Sequence, residues 1–152
     1  MCNNQYMPNL AEHRRARFDY DILETYEVGI ELKGFEVKAI KSGRCNLDGS
    51  FVVREGNELK LLNADIPPYQ PGNTPAGYDQ KRSRRLLLKR DEIKYLIGKL
   101  REGLTLVPLR MYTKGRLLKL AIGLAKRRKK TDKRDVIRKR EAKREIERTL
   151  KG

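Results

Sequence analysis

Alternation of apolar and polar side chains with a period of two constrains this chain more than any other feature. In residues 116–126 every second residue is apolar, while Lys119 falls on the opposite face. Alternation also runs through residues 13–34, which predict one long strand with a bend near Glu24–Thr25 or Gly29. A half-buried strand produces this period because successive side chains point to opposite faces of a sheet. The core is therefore predicted to be a β-sheet.

Two hairpins are predicted from pairs of β-rich runs. Residues 51–54 and 58–64 flank Glu55-Gly56-Asn57, a sequence typical of a tight hairpin loop. Residues 104–112 and 116–126 flank Thr113-Lys114-Gly115 in the same way. Pro108 in the first arm of this second hairpin predicts an edge or a bulge, because proline has no backbone N–H to donate.

One helix is clearly predicted and a second segment is ambiguous. In residues 91–103, apolar side chains recur at helical spacing, acids occupy the first turn, and Gly103 follows the last turn. Residues 33–43 fit either a helix that ends at Gly43 or a strand. With about six short strands and few long helices, the fold is predicted to be mainly β, a small antiparallel OB-like barrel with flanking short helices.

The apolar pattern stops near residue 125, which sets the predicted domain boundaries. Residues 126–152 hold fourteen Lys or Arg and five Asp or Glu, so nine of the sixteen surplus positive charges lie there. Such a segment cannot bury enough apolar surface to fold alone, and we expect it to be disordered when free and helical on a polyanion. The predicted division is a flexible N-terminus (1–12), an OB-like barrel (13–125) and a basic tail (126–152).

The sequence argues against several classes of function. No apolar run approaches the roughly 20 residues of a membrane span, and the first residues lack the features of a signal peptide, so a cytoplasmic protein is expected. Cys2 and Cys45 are far apart and predict plain thiols. No phosphate-loop, nucleophile-elbow or zinc-protease motif occurs, and neither a cofactor nor a metal nor catalysis is predicted.

Basic clusters next to the predicted strands favour RNA as the partner. The net charge of +16 favours a polyanion as the partner, because it would neutralise the surplus. Three separate clusters of basic residues border the predicted barrel. One is the tail, and the other two are HRRAR (13–17) and KRSRR (81–85). The residues predicted from them to contact RNA are His13, Arg14, Arg15, Arg17, Arg82, Arg84 and Arg85.

The sequence resembles a known family, the small protein B family of SsrA-binding proteins. The resemblance is carried by RRARFDYDILETYEVGIELKGFEVKAIKSGR (14–44), GNELKLLNADIPPY (56–69), RSRRLLLKRDEIKYLIGKLREGLTLVPLRMY (82–112) and KLAIGLAKRRKKTDKRD with KREIER after it. It implies an OB-like barrel in which residues 33–43 are a helix. It also implies a partner, the tRNA-like part of transfer-messenger RNA, which with elongation factor Tu enters the vacant site of a stalled ribosome.

Particular residues follow from this resemblance. The RNA-contact positions of the family's barrel fall on Glu27, Leu87 and Lys119. The tail is implied to occupy the decoding centre of 16S rRNA and the empty mRNA channel. The positions implied to contact the ribosome are Lys126, Arg128, Lys129, Asp132, Lys133, Arg134, Thr149 and Leu150. A monomer is expected.

Three positions depart from the family pattern, and three alternative functions stay open. His13 stands where the family usually has Asn, Arg127 replaces a usual Gly, and Thr131 replaces a His or Tyr. The alternatives are a general OB-fold RNA chaperone, a membrane-surface role for the tail, and a metal-dependent nuclease. That nuclease would use Asp19, Asp21 and Glu24.

Overall fold

A seven-stranded antiparallel sheet forms the body of the molecule in the computed structural model of the chain. The structure describes residues 9–151, apart from the side chains at positions 130–132, 136, 147 and 149–151. The strands are β1 (Asn9–Glu12), β2 (Tyr20–Ile30), β3 (Phe51–Glu55), β4 (Glu58–Leu62), β5 (Arg84–Leu87), β6 (Thr105–Lys114) and β7 (Leu117–Arg127). The helices are α1 (Ala16–Asp19), α2 (Gly34–Lys41), α3 (Arg90–Arg101) and α4 (Lys130–Lys151), with a short 3-10 turn at Pro71–Asn73. The predicted mainly β fold with short helices is confirmed.

The sheet curls round on itself to enclose one main core. Its strand order is β1-β6-β7-β2-β5-β4-β3, with every neighbouring pair antiparallel. Strand β3 also lies against β6, which brings the two ends of the sheet together as in a barrel. The predicted alternation of β7 is confirmed, because its inward side chains are buried while Lys119 points away. These inward side chains are Leu120, Ile122 and Leu124.

Two bulges bend the long strands of the sheet. The register shifts between Ile22 and Glu24 on β2 and between Pro108 and Arg110 on β6, so the bulge predicted at Pro108 is confirmed. Gly123 lies between the two bulges. A Cβ atom there would be 3.0 Å from Cγ2 of Ile22, tighter than nine in ten real contacts. The glycine therefore lets the bent strands approach each other.

The prediction of one long strand over residues 13–34 is wrong at its start. Residues Ala16–Asp19 form the turn of helix α1, and β2 begins only at Tyr20. Ala16 is 1% exposed and packs with Val107, Leu109 and Ala125, so tertiary packing outweighs the alternation there. The ambiguous segment 33–43 is a helix, α2.

The segment predicted to be a flexible N-terminus, residues 1–12, contains a strand at its end. Residues Asn9–Glu12 form β1, which pairs with the edge of β6 and buries Ala11. The open edge of β6 offers backbone partners that satisfy this segment, although its side chains show no pattern. Residues 1–8 lie outside the described residues.

The predicted boundary at residue 125 falls inside a strand. Strand β7 continues to Arg127, because Arg127 pairs with Tyr20. The tail beyond it is helical over Lys130–Lys151. Its disorder in the free protein stays a prediction.

Candidate nucleic-acid interface

Three strands bring Glu27, Leu87 and Lys119 to one face of the sheet. Gly29 on β2 pairs with Leu87 on β5 and with Lys119 on β7. Cross-strand partners project to the same face, and Glu27 shares that face because it lies two residues from Gly29. All three side chains line an open cleft of about 570 Å³. Residues that are far apart in sequence therefore form one surface.

Gly29 shapes the floor of this cleft. A Cβ atom at this position would lie 3.2 Å from Cβ of Leu87, which is tighter than most contacts. Leu87 itself is 47% exposed. The missing side chain at Gly29 leaves Leu87 and Lys119 accessible from solvent on either side of the β2 backbone.

Glu27 is held as an ionised acceptor at the edge of the cleft. The hydroxyl of Tyr112 donates to one carboxylate oxygen, and Nζ of Lys114 lies 3.2 Å from the other. The hydrogen bond from Tyr112 is the main cause that lowers the pKa of Glu27, with Lys114 and Lys119 adding to it against burial. The sequence did not point to Tyr112 or Lys114 as partners of Glu27, although the register of the second hairpin places Tyr112 opposite Lys119.

The basic segment after β1 forms a second cleft of about 240 Å³ beside the same face. His13, Arg14 and Arg17 line it together with Arg110. The imidazole of His13 makes a hydrogen bond through Nδ1 to the carbonyl of Pro108, 3.0 Å away, which fixes the start of the segment. Arg15 instead turns towards Phe18 and Asp19, so it is separated from the other three.

The structure corrects the prediction that Arg84 contacts RNA. This side chain is 1% exposed, and its guanidinium donates to Glu36 on α2 and to the backbone carbonyls of Ala64 and Gln80. A buried arginine is tolerated only when its hydrogen-bond donors and its charge find partners inside the protein. The spacing of the arginines does not show which of them points inward. A basic run that enters a strand places alternate residues on opposite faces, and the sequence does not say which face is buried.

A buried network surrounds Glu36. Arg82 and Arg84 both pair with its carboxylate, and the hydroxyl of Tyr78 donates to Oε2 at 2.9 Å. Burial alone would raise the pKa of Glu36, but these arginines and the N–H of Lys33 lower it to about 2. Burial and the adjacent carboxylate raise the pKa of Tyr78 to about 12. The network ties α2 to the loop that precedes β5.

Arg85 has the accessible position of the KRSRR cluster. It lines the cleft that holds Lys119 and pairs on the surface with Glu31, at 2.9 Å, and with Glu58, at 3.3 Å. Arg82 is partly exposed beside Glu36. The three arginines of the cluster therefore divide into one at the candidate interface, one partly exposed beside Glu36 and one in the core.

The tail begins at the opposite end of β2. The backbone N–H of Arg128 donates to the carbonyl of Asp19, and Nζ of Lys133 lies 3.1 Å from the Asp19 carboxylate. Lys126, Arg128 and Lys129 line an open groove of about 530 Å³ there. Arg134 is exposed. The side chains of Asp132, Thr149 and Leu150 lie outside the described residues.

The three acids considered for a nuclease lie in different surroundings. Asp19 pairs with Lys133, Glu24 accepts hydrogen bonds from Tyr26 and Tyr95, and Asp21 lines the tail groove. Among the residues that the structure describes, no three His, Cys, Asp or Glu side chains are placed to hold a metal ion. Within residues 9–151, no helix combines the length and apolarity needed to cross a membrane.

The curled antiparallel sheet, with one cleft of mixed charge and a second cleft lined mainly by basic side chains on its outer face, defines a small β-barrel protein of the binding class. The model of the SmpB protein family matches residues 10–152, and the chain belongs to this family. An SsrA-binding protein of Carboxydothermus hydrogenoformans is 52% identical over 94% of this chain and 96% of its own length. Another, from Trichodesmium erythraeum, is 47% identical over 93% of this chain and 92% of its own length.

A solved structure gives the same result for the fold. It is described as "tmRNA-SmpB: a journey to the center of the bacterial ribosome". Its chain is 43% identical, covers 84% of this chain and 93% of its own length, and superimposes with a TM-score of 0.64.

Proposed function

We propose that this protein binds the tRNA-like domain of transfer-messenger RNA through the barrel and delivers it to stalled ribosomes for trans-translation. The observation that carries the proposal is the convergence of Glu27, Leu87 and Lys119 in one cleft. The relatives are named SsrA-binding proteins, and the solved relative is described with tmRNA and the bacterial ribosome. The protein acts by binding, in the cytoplasm where ribosomes work, and not by catalysis.

The cleft combines groups suited to an RNA with unpaired bases. Lys119 supplies a cation for phosphate, Glu27 supplies an acceptor for donors on a base edge, and Leu87 supplies an apolar surface. Sequence-specific recognition of RNA targets unpaired nucleotides, because the grooves of its helices display little sequence information. The arrangement therefore favours a folded RNA with an exposed loop over a plain duplex.

The tail has a later role in this proposal. It occupies the decoding centre and the vacant mRNA channel through Lys126, Arg128, Lys129 and Arg134, with elongation factor Tu joined through the RNA. Its high density of positive charge suits a channel walled by rRNA phosphates. The protein acts as a monomer.

A competition experiment tests the role of the barrel. Labelled tRNA-like domain is bound by the full-length protein at moderate salt against unlabelled elongator tRNA. Lys119→Ala and Glu27→Gln are expected to reduce the preference for the tRNA-like domain. Lys41→Ala, which removes the same charge from an exposed site on α2, is the matched control and keeps the preference. Equal binding of both RNAs by the wild-type protein would instead favour a general RNA chaperone.

A further inference from the structure

Arg110 on β6 is held against an aromatic ring on the face that carries the candidate interface. Its Cζ atom lies 4.2 Å from the ring centroid of Tyr112, and its Nη1 donates to Oδ1 of Asn9 at 2.8 Å. A guanidinium is planar and weakly hydrated, so it stacks readily on an aromatic face. The two contacts fix its position, one beneath it and one at its edge.

Tyr112 connects this guanidinium to Glu27. The ring is 2% exposed, although it lies on the outer face of the sheet, and its hydroxyl donates to the Glu27 carboxylate. Tyr112 is on β6 and Glu27 on β2, so the ring reaches across β7. Ala121, the β7 residue directly opposite both Arg110 and Glu27, is small enough to leave room for it.

Arg110 also faces the second cleft. It lines that cleft with His13, Arg14 and Arg17, and its side chain keeps partial exposure there. Among the described residues, neither Arg14 nor Arg17 has a carboxylate within ion-pair distance. The cleft thus joins a supported cationic plane to two cations at its rim, a combination that matches the base and the phosphate of one nucleotide.

We propose that Arg110 stacks one unpaired base of the bound RNA on the guanidinium face opposite Tyr112, with a neighbouring phosphate near Arg14 and Arg17. Bases splayed out of RNA loops stack on arginine planes as well as on aromatic rings. Tyr112 is a positioning residue in two respects, since it supports Arg110 and orients Glu27. This inference rests on the proposed function and places a nucleotide-binding position in the second cleft, beside the cleft of Glu27, Leu87 and Lys119.

The test compares Arg110→Lys with Arg116→Lys in the full-length protein. Both variants keep their positive charge, and Arg116 lies exposed in the β6–β7 turn outside the cleft. The probes are the tRNA-like domain and a set of the same RNA with a single abasic site at each unpaired position. Arg110→Lys is expected to weaken binding by roughly 5- to 100-fold, the range for losing one stacked base. Its salt dependence is unchanged because no charge is lost.

The abasic set identifies the stacked base. At one position, the abasic RNA binds the wild-type protein as weakly as Arg110→Lys binds the intact RNA, and combining the two changes adds little. Arg116→Lys binds every probe as the wild type does. The inference is overturned if Arg110→Lys binds like wild type, or if no abasic position shows this non-additivity.

A second variant tests Tyr112 through a readout that a purely structural role would not move. Tyr112→Phe keeps the ring under Arg110 and removes only the hydroxyl. The pKa of Glu27, followed by carbon NMR of its carboxyl group in the RNA-free protein, is expected to rise towards the ordinary 4.5. An unchanged pKa would contradict the positioning role.

The outcomes separate this inference from the proposed function. In one outcome, the wild-type protein binds the tRNA-like domain and elongator tRNA equally, but Arg110→Lys still shows non-additivity with an abasic site. The proposed partner is then wrong, and the stacking of a base on Arg110 is supported. If the wild-type protein strongly prefers the tRNA-like domain but no abasic site is non-additive with Arg110→Lys, the proposed partner is supported and the stacking on Arg110 is wrong. A wild-type protein that binds neither RNA overturns both.

Discussion

Two of the acidic residues that pair with basic partners, Glu36 and Asp19, differ in their access to water. Glu36 and Arg84 in the barrel are both fully buried, with Oε2 of Glu36 and Nη2 of Arg84 2.6 Å apart. Asp19 and Lys133, which join the barrel to the tail helix, each keep more than a quarter of their side-chain exposure, at 3.1 Å. The first pair lies within the folded barrel, whereas the second connects the barrel to the tail.

This difference separates a fixed contact from a releasable one. A buried carboxylate surrounded by donors cannot lose one partner without leaving a charge in a medium of low dielectric constant. An exposed ion pair exchanges its partner for water at little cost and weakens further in salt. The buried network therefore keeps the candidate interface in place, while Lys133 can leave Asp19, as the proposed role of the tail requires.

The largest expected effect comes from removing the buried charge. Glu36→Gln is expected to lower the free energy of unfolding by about 3–5 kcal/mol, because the Arg84 guanidinium loses its counter-charge. Glu55→Gln is the matched control, since it removes a carboxylate from an exposed pair with Lys60 and is expected to cost less than about 1 kcal/mol. Urea unfolding monitored by circular dichroism measures both. Equal losses in the two variants would contradict the difference between the regions.

The same carboxylate should make stability depend on pH. Its pKa is lowered from 4.5 to about 2 in the folded state, so its stabilisation is complete above pH 4.5 and is lost as the pH falls towards 2. The difference in unfolding free energy between wild type and Glu36→Gln is expected to shrink over that interval, by about 3 kcal/mol. Urea unfolding at several pH values between 7 and 2 follows it. A constant difference would show that ionisation of Glu36 is not the cause.

A smaller effect is expected at the junction with the tail. Asp19→Asn should change the unfolding free energy of the barrel by less than about 1 kcal/mol, while amide exchange in the first turns of α4 becomes faster. Glu102→Gln, which breaks a remote exposed pair with Lys99, serves as the control and leaves exchange in α4 unchanged. Hydrogen exchange with mass spectrometry measures both. A barrel strongly destabilised by Asp19→Asn would mean that this contact belongs to the core.

The strand pattern was predictable where one face of the strand is buried, and it failed where contacts between distant parts of the chain decide the local structure. Leu120, Ile122 and Leu124 alternate in sequence and point into the core. Ala16 also continues an alternating run, yet it lies in a helical turn because it packs under Leu109. Strand β1 shows no alternation in its sequence. Its strand conformation comes from backbone pairing with the edge of β6, which does not depend on a side-chain pattern.

The convergence of three of the expected residues on one face has an explanation in the strand register, whereas the residues that support them were not predicted. The resemblance placed Glu27, Leu87 and Lys119, and the register of β2 with its neighbours explains why they meet. The burial of Arg84 depends on Glu36, 48 residues away in sequence. Pairings across such separations are set by tertiary structure, so a local run of arginines gives no sign of them.

The central claim is that the barrel alone selects the RNA. The most direct test compares the full-length protein with a chain that ends at Arg127, which retains all of β7 and every buried apolar side chain of the described residues. Each binds labelled tRNA-like domain against elongator tRNA at moderate salt. Preference for the tRNA-like domain in both chains is the predicted result, with tagging on stalled ribosomes lost only from the shorter one. Loss of the preference together with the tail would contradict the account.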